Sequence, residues 1–126
     1  MAQFARLHVW RKAHALTLNV HRVATGIRSS RYAAIRSQMI RASMSIPANI
    51  VEGRCQKSER DFARFLGYAL NSSTELEYHL IVARDFRAIT LSDFNSLHAQ
   101  TIEVQKMLHG LLRRISNPKP VPSATD

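Results

Sequence analysis

Acidic residues are missing from the first 51 positions of this chain. That stretch carries Arg6, Arg11, Lys12, Arg22, Arg28, Arg31, Arg36 and Arg41, so its positive charge has no counter-charge close in sequence. Over the whole chain 18 Lys and Arg stand against 9 Asp and Glu, a net charge of +9. The acids cannot neutralise the bases even if every one is paired, and a surplus of that sign attracts polyanions. Cysteine is almost absent: Cys55 alone excludes an intrachain disulfide and a cysteine-based zinc cluster. Only four glycines occur, and they form no phosphate-cradling loop. No uncharged apolar run approaches the roughly 18 residues of a membrane span. The opening MAQFARLHVWRK lacks the apolar core of a secretory signal. The absences together predict a cytoplasmic protein with no membrane contact.

What is present is helical periodicity, with no strand signal. Val9, Ala13, Leu16, Val20, Val23 and Ile27 recur at the three-four spacing of a bundle seam, predicting a helix from about His8 to Ile27. A second helix is predicted over about Tyr32 to Glu52. Ser58 with Asp61 three residues on reads as a capping box opening a third, whose seam is Phe62, Phe65, Leu66, Ala69, Ser73, Leu76, Leu80 and Ala83. Thr90 with Asp93 repeats the cap before Phe94, Leu97, Thr101, Val104, Leu108, Leu111 and Ile115. Short connections make consecutive helices antiparallel neighbours. The prediction is an all-α, antiparallel up-down-up-down four-helix bundle over residues 1–115. Residues 116–126 hold three prolines and no periodic apolar position, and read as a disordered Pro-rich tail.

The second helix is the most informative segment. Pro47 lies inside it, removing a backbone donor and clashing with the carbonyl of Ser43, so a kink is expected. Gly53 falls where a left-handed C-cap would end the helix. Ile35, Met39, Ala42, Ile46 and Ile50 form one apolar stripe; Ile40, Met44 and Val51 form a second. One bundle core needs an arc of only roughly 100°. The surplus predicts an oligomer interface at Ile40, Met44 and Val51, joined by Leu18, which points away from the seam of the first helix. Gln38, Arg41, Ser45, Asn49 and Glu52 line a polar stripe. They form a recognition surface, satisfy backbone groups freed by Pro47, or bond across subunits.

Gln38, Arg41-Ala42, Ser45-Ile46-Pro47, Asn49-Ile50 and Glu52-Gly53 resemble the signature of the bacterial four-helix-bundle proteins, also called 23S rRNA intervening-sequence proteins. Val9-Trp10, Lys12-Ala13, Lys57-Ser58, Phe62, Phe65-Leu66 and Glu75-Leu76-Glu77 extend the resemblance over roughly residues 4 to 115. It implies a ring-shaped homopentamer. It also implies kinship with accessory proteins of diversity-generating retroelements, which bind reverse transcriptase and nucleic acid.

Candidates for chemistry are sparse. His14 and His21 are two turns apart, too far to share a metal unaided, and no HxxxH spacing occurs. Glu75 and His79, one turn apart, read as a surface hydrogen bond. Glu77 lies close to a seam and needs a partner, expected to be an arginine of the first or second helix. No serine elbow or paired carboxylate stands out, so no catalytic residue, cofactor or metal is assigned. The leading expectation is a non-catalytic, oligomeric protein that binds RNA or DNA through backbone phosphates, with Arg11, Lys12, Arg22, Arg28, Arg31 and Arg36 as contacts. Aromatic residues suited to base stacking are few, Trp10, Tyr68 and Tyr78 being the exceptions to a placement on the seams, which limits base stacking. The alternative is an adaptor whose basic face docks an acidic protein, such as a reverse transcriptase accessory protein.

Overall fold

A computed structural model describes residues 7–116. They form four α-helices and no strand: α1 His8–Thr25, α2 Ala33–Arg54, α3 Glu59–Asp85 and α4 Leu91–Ser116, with a short 3-10 turn Ser30–Tyr32 leading into α2. Ser116, placed in the predicted tail, is the last residue of α4, and residues 117–126 lie outside the described residues. Both predicted caps are present. The Ser58 hydroxyl accepts from the Asp61 N–H at 3.1 Å, and Thr90 Oγ1 accepts from the Asp93 N–H at 3.0 Å.

Each helix packs against two neighbours, α1 and α3 occupying one diagonal and α2 and α4 the other. Cross-helix pairs fix the directions. Thr17 meets Ser43 while Arg36 reaches back to Ile27, so α1 and α2 run oppositely. Ser45 meets Ser72 while Gly53 abuts Phe62, which sets α2 against α3. Arg84 covers Phe94 while Glu77 meets Gln105, which sets α3 against α4. Lys12 meets Glu103 and Asn19 meets Gln100, closing α4 onto α1. The arrangement is an antiparallel four-helix bundle. The seams supply its core, with Leu16, Met39, Ile46, Ile50, Leu66, Leu76, Leu80 and Leu108 fully buried. Burial of such side chains drives the assembly at roughly 1.5–3 kcal/mol each.

Helix α2 continues through Pro47 without interruption, and Pro47 itself is buried. Its missing N–H leaves the Ser43 carbonyl without its helical donor. That carbonyl is answered from outside the helix: the hydroxyl of Thr17 on α1 lies 2.8 Å from it, closer than the 3.1 Å to its own Ala13 carbonyl, which shares the donor. The polar stripe of α2, one candidate for that role, does not supply the bond.

Gly53 corrects a second expectation. It is helical, no glycine among the described residues has positive φ, and the C-cap is Cys55 in right-handed geometry. Its smallness serves packing instead. A Cβ there would stand 2.9 Å from Phe65 Cβ and 3.0 Å from Phe62 Cδ1. Phe65 Cβ is fixed to the α3 backbone, so any larger residue forces the two helices apart, at about 1–3 kcal/mol. The α2–α3 contact is the most extensive in the bundle.

The Thr17–Ser43 bond predicts a coupled pair of substitutions. Thr17→Val keeps the shape and strands a buried acceptor, so urea unfolding is expected to lose about 1–3 kcal/mol. In a Pro47→Ala background position 47 regains an N–H for Ser43, and the cost of Thr17→Val should fall by about 1 kcal/mol. Equal costs in the two backgrounds would remove the Ser43 carbonyl from the account.

Candidate nucleic-acid interface

The five arginines and one lysine proposed as phosphate contacts do not form one surface. Arg22, Arg28, Arg31 and Arg36 gather where α1 ends and α2 begins. Arg11 and Lys12 lie on the first turns of α1, and Lys12 is about 15 Å from Arg22 along the axis at 1.5 Å per residue. Lys12 is committed to Glu103 at 3.1 Å, both side chains being about half exposed (44% and 50%). Arg36 is half-buried and donates through Nη1 to the Ile27 carbonyl, placing a positive charge beside the C-terminal end of α1, where the helix dipole favours it. Arg22, Arg28 and Arg31 are exposed, and their side chains form no hydrogen bond or ion pair among the described residues. Nearby acids are few. Asp85 pairs with Arg84 at 2.9 Å, Asp93 lines a recess together with Arg22, and α2 has no acid in its first turn. This end of the bundle therefore displays three exposed arginines with no acid bonded to them among the described residues.

The proposed oligomer contact lies on the outside of the α1–α2 pair. Thr17 faces α2, whereas Lys12 and Asn19 face α4. One step outward from Thr17 runs the line Trp10, His14, Leu18 at four-residue spacing. Trp10 and His14 stack at 5.0 Å with their planes 6° apart. With Thr17 opposite Ser43 in an antiparallel pair, Leu18 lies within one turn of Met44 along the axis, and Trp10 within one turn of Val51. Leu18 and Met44 are 56% and 55% exposed, while Ile40 and Val51 are half-buried and Ile40 leans on the core. The four predicted positions thus share one apolar strip on the side of the bundle.

The polar stripe of α2 divides. Ser45 and Asn49 turn inward: Asn49 Nδ2 donates to the Ser45 carbonyl at 2.8 Å, and the hydroxyls of Ser45 and Ser72 bond at 2.8 Å, tying α2 to α3. Gln38, Arg41 and Glu52 point outward, and their side chains have no partner among the described residues. Gln38, Arg41, Ala42 and Ser45 line a recess of about 130 Å³ with Glu75.

Two sequence expectations about histidines and acids are corrected. Glu77 finds its partners on α4 and not on an arginine of α1 or α2: Oε2 lies 2.9 Å from His98 Nε2, and Oε1 accepts from Gln105 Nε2 at 3.2 Å. The nearby Arg84 is drawn over the Phe94 ring, 4.6 Å from its centroid. Sequence spacing could not show this pair, because residues 77 and 98 meet only through antiparallel packing. Glu75 and His79 do not bond, and His79 Nε2 is buried without a hydrogen-bond partner. No group of three His, Cys, Asp or Glu among the described residues is placed to hold a metal. No described helix is long and apolar enough to cross a membrane.

A family model described as 23S rRNA-intervening sequence protein matches residues 5–110. Among solved structures, the chain is similar to a protein of unknown function from the S23 ribosomal protein family of Bacteroides thetaiotaomicron. The two share 24% identity at a TM-score of 0.78, over 83% of this chain and 98% of the other, which is a likeness of fold. The comparison with curated proteins finds no match.

The α3–α4 polar contact predicts a stability that falls in acid. Hydrogen bonds from His98 first, then from Gln105, hold the Glu77 carboxyl below its ordinary value of 4.5, against the opposing effect of burial. A carboxyl depressed in the folded state adds stability that is complete above its unfolded value and lost as pH falls through the folded one. Glu77→Gln should therefore flatten the fall of the urea midpoint between neutral pH and pH of about 3, relative to the native chain. An unchanged acid limb would show that Glu77 is not what titrates there.

Proposed function

The chain belongs to the 23S rRNA-intervening sequence protein family, and from that premise we propose that it is a non-catalytic, oligomeric protein that binds RNA or DNA through backbone phosphates. The observation that carries the reading is the trio Arg22, Arg28 and Arg31. These three are exposed and unpaired among the described residues, at one end of a chain with net charge +9. Arginine forks suit phosphate oxygens, and each phosphate neutralised releases condensed counterions. Arg36 acts in this reading as a support for the α1–α2 turn that displays the trio. Lys12, already paired, contributes little.

Oligomerisation is part of the same reading. Leu18, Ile40, Met44 and Val51 offer an apolar strip to a second copy along the side of the α1–α2 pair. A ring closed through that strip, with five members as the family resemblance implies and a bend at Pro47, repeats the basic end around its rim. Repetition raises affinity through effective concentration without any new contact. The adaptor reading, in which the same basic end docks an acidic protein, predicts a dependence on the partner's shape that nucleic-acid phosphates do not impose.

Two measurements test the proposal. Binding of nuclease-treated protein to a structured RNA and to duplex DNA, between about 50 and 300 mM salt, should fall log-linearly, with a slope of about −0.9 per phosphate on duplex DNA. Reversing Arg22, Arg28 and Arg31 to Glu should flatten that slope by at least about two contacts, while Lys12→Glu changes it by less than one. Absence of binding at the lowest salt would overturn the nucleic-acid reading. Sedimentation should show Leu18→Asp with Met44→Asp shifting the protein to monomer, and an unchanged sedimentation coefficient would move the subunit contact elsewhere.

A further inference from the structure

Phe86 is an aromatic residue at the basic end whose role the sequence conceals. It follows the last turn of α3 as its C-cap, yet its side chain is 58% exposed. Its backbone is held: the Tyr32 hydroxyl donates to the Phe86 carbonyl at 3.1 Å, binding the α3 terminus to the start of α2. The Phe86 side chain forms one wall of a depression of about 450 Å³, and Arg31, Tyr32, Ala34 and Ile35 form the rest. That size falls within the range of small-molecule clefts, about 300–1,000 Å³. The site combines an exposed ring, an apolar floor from Ala34 and Ile35, and a guanidinium with no ion partner among the described residues. Arg28 and Arg87 are exposed on the two turns that flank it.

Charge selects among possible occupants. A second copy would bring a like-charged end against this one, which is unfavourable. An anionic ligand with a flat apolar face fits both features at once. A duplex keeps its bases stacked inside and presents only phosphates here, whereas an unpaired base can enter and stack. Resting on the nucleic-acid reading above, we propose that the depression takes an unpaired base of single-stranded nucleic acid, stacked on Phe86, with the adjoining phosphates on Arg28, Arg31 and Arg87. Tyr32 is a positioning residue that holds the Phe86 backbone. The protein then prefers single strands, loops or ends over continuous duplex, with little preference for base identity.

The test uses the full chain and three fluorescent probes: a short mixed-sequence single strand, an abasic strand of equal length, and a duplex. The native protein should bind the single strand most tightly. Phe86→Ala should weaken that binding by about five- to hundredfold, the range that base–aromatic stacking supplies, and leave the abasic strand and duplex unchanged. Phe86→Tyr should retain the native preference, which separates stacking from a folding defect at the C-cap. Arg31→Ala should weaken all three probes. If Phe86→Ala leaves single-strand affinity unchanged while the probes still bind, the stacking site is overturned and the phosphate surface stands. If no probe binds at low salt, or polyglutamate binds in their place, both readings fall.

Discussion

Helix α2 has to satisfy two neighbours at once, and the carbonyl of Ser43 is where the two demands meet. Pro47 removes a donor in the middle of the bundle, in a buried position where water is not at hand to replace it. The missing bond is made by Thr17 of α1 at 2.8 Å. A residue that weakens α2 in isolation thereby obliges it to pack on α1 in one register. On its other side, Gly53 and the Ser45–Ser72 bond bring α2 onto α3. The register has consequences at a distance. It sets Leu18 within one turn of Met44 on the outer strip, and Tyr32 stands at the end of α3, where its hydroxyl holds Phe86.

The legible part of this fold was the part governed by period. Three-four spacing located four helices, and the Ser58 and Thr90 caps marked two starts, because both signals depend only on residues close in sequence. The errors are of the opposite kind. Gly53 looked like a terminator from its own helix; only the approach of Phe62 and Phe65, from the next one, reveals it as a packing residue. Glu77 looked destined for an arginine because arginines are abundant, yet α4 presents His98 and Gln105 at the right height. The answer to Pro47 came from Thr17, which no reading of α2 alone could supply. In each case the deciding contact joins two helices.

The candidate interface shows the same division. Counting bases against acids correctly identified a surplus, since charge is a property of composition. Which bases form a surface is a property of packing. Lys12 has an acid within reach across the α1–α4 contact, and Arg36 is spent on a carbonyl, whereas Arg22, Arg28 and Arg31 are left over. Phe86 escaped notice because an aromatic residue close to a seam reads as core. It became visible only once the end of α3 was placed beside the start of α2.

Arg87 sits at the α3 terminus in a backbone conformation that suits glycine better. The α3 terminus closes with the Ala88 N–H bonded to the Ala83 carbonyl at 2.8 Å and the Arg87 N–H to the Arg84 carbonyl at 2.9 Å, a Schellman closure. That motif puts its penultimate residue at positive φ, and Arg87 has φ 59°. Glycine occupies such a position freely, while a residue with a Cβ is disfavoured there by roughly 1–2 kcal/mol. Arginine is thus a poor choice for the turn taken alone. A backbone outlier on a surface turn points toward function in that direction only, from strain to role. In the proposed reading a positive side chain next to Phe86 would serve the phosphates beside a stacked base, and the fold accommodates Arg87 by closing the turn with two backbone hydrogen bonds.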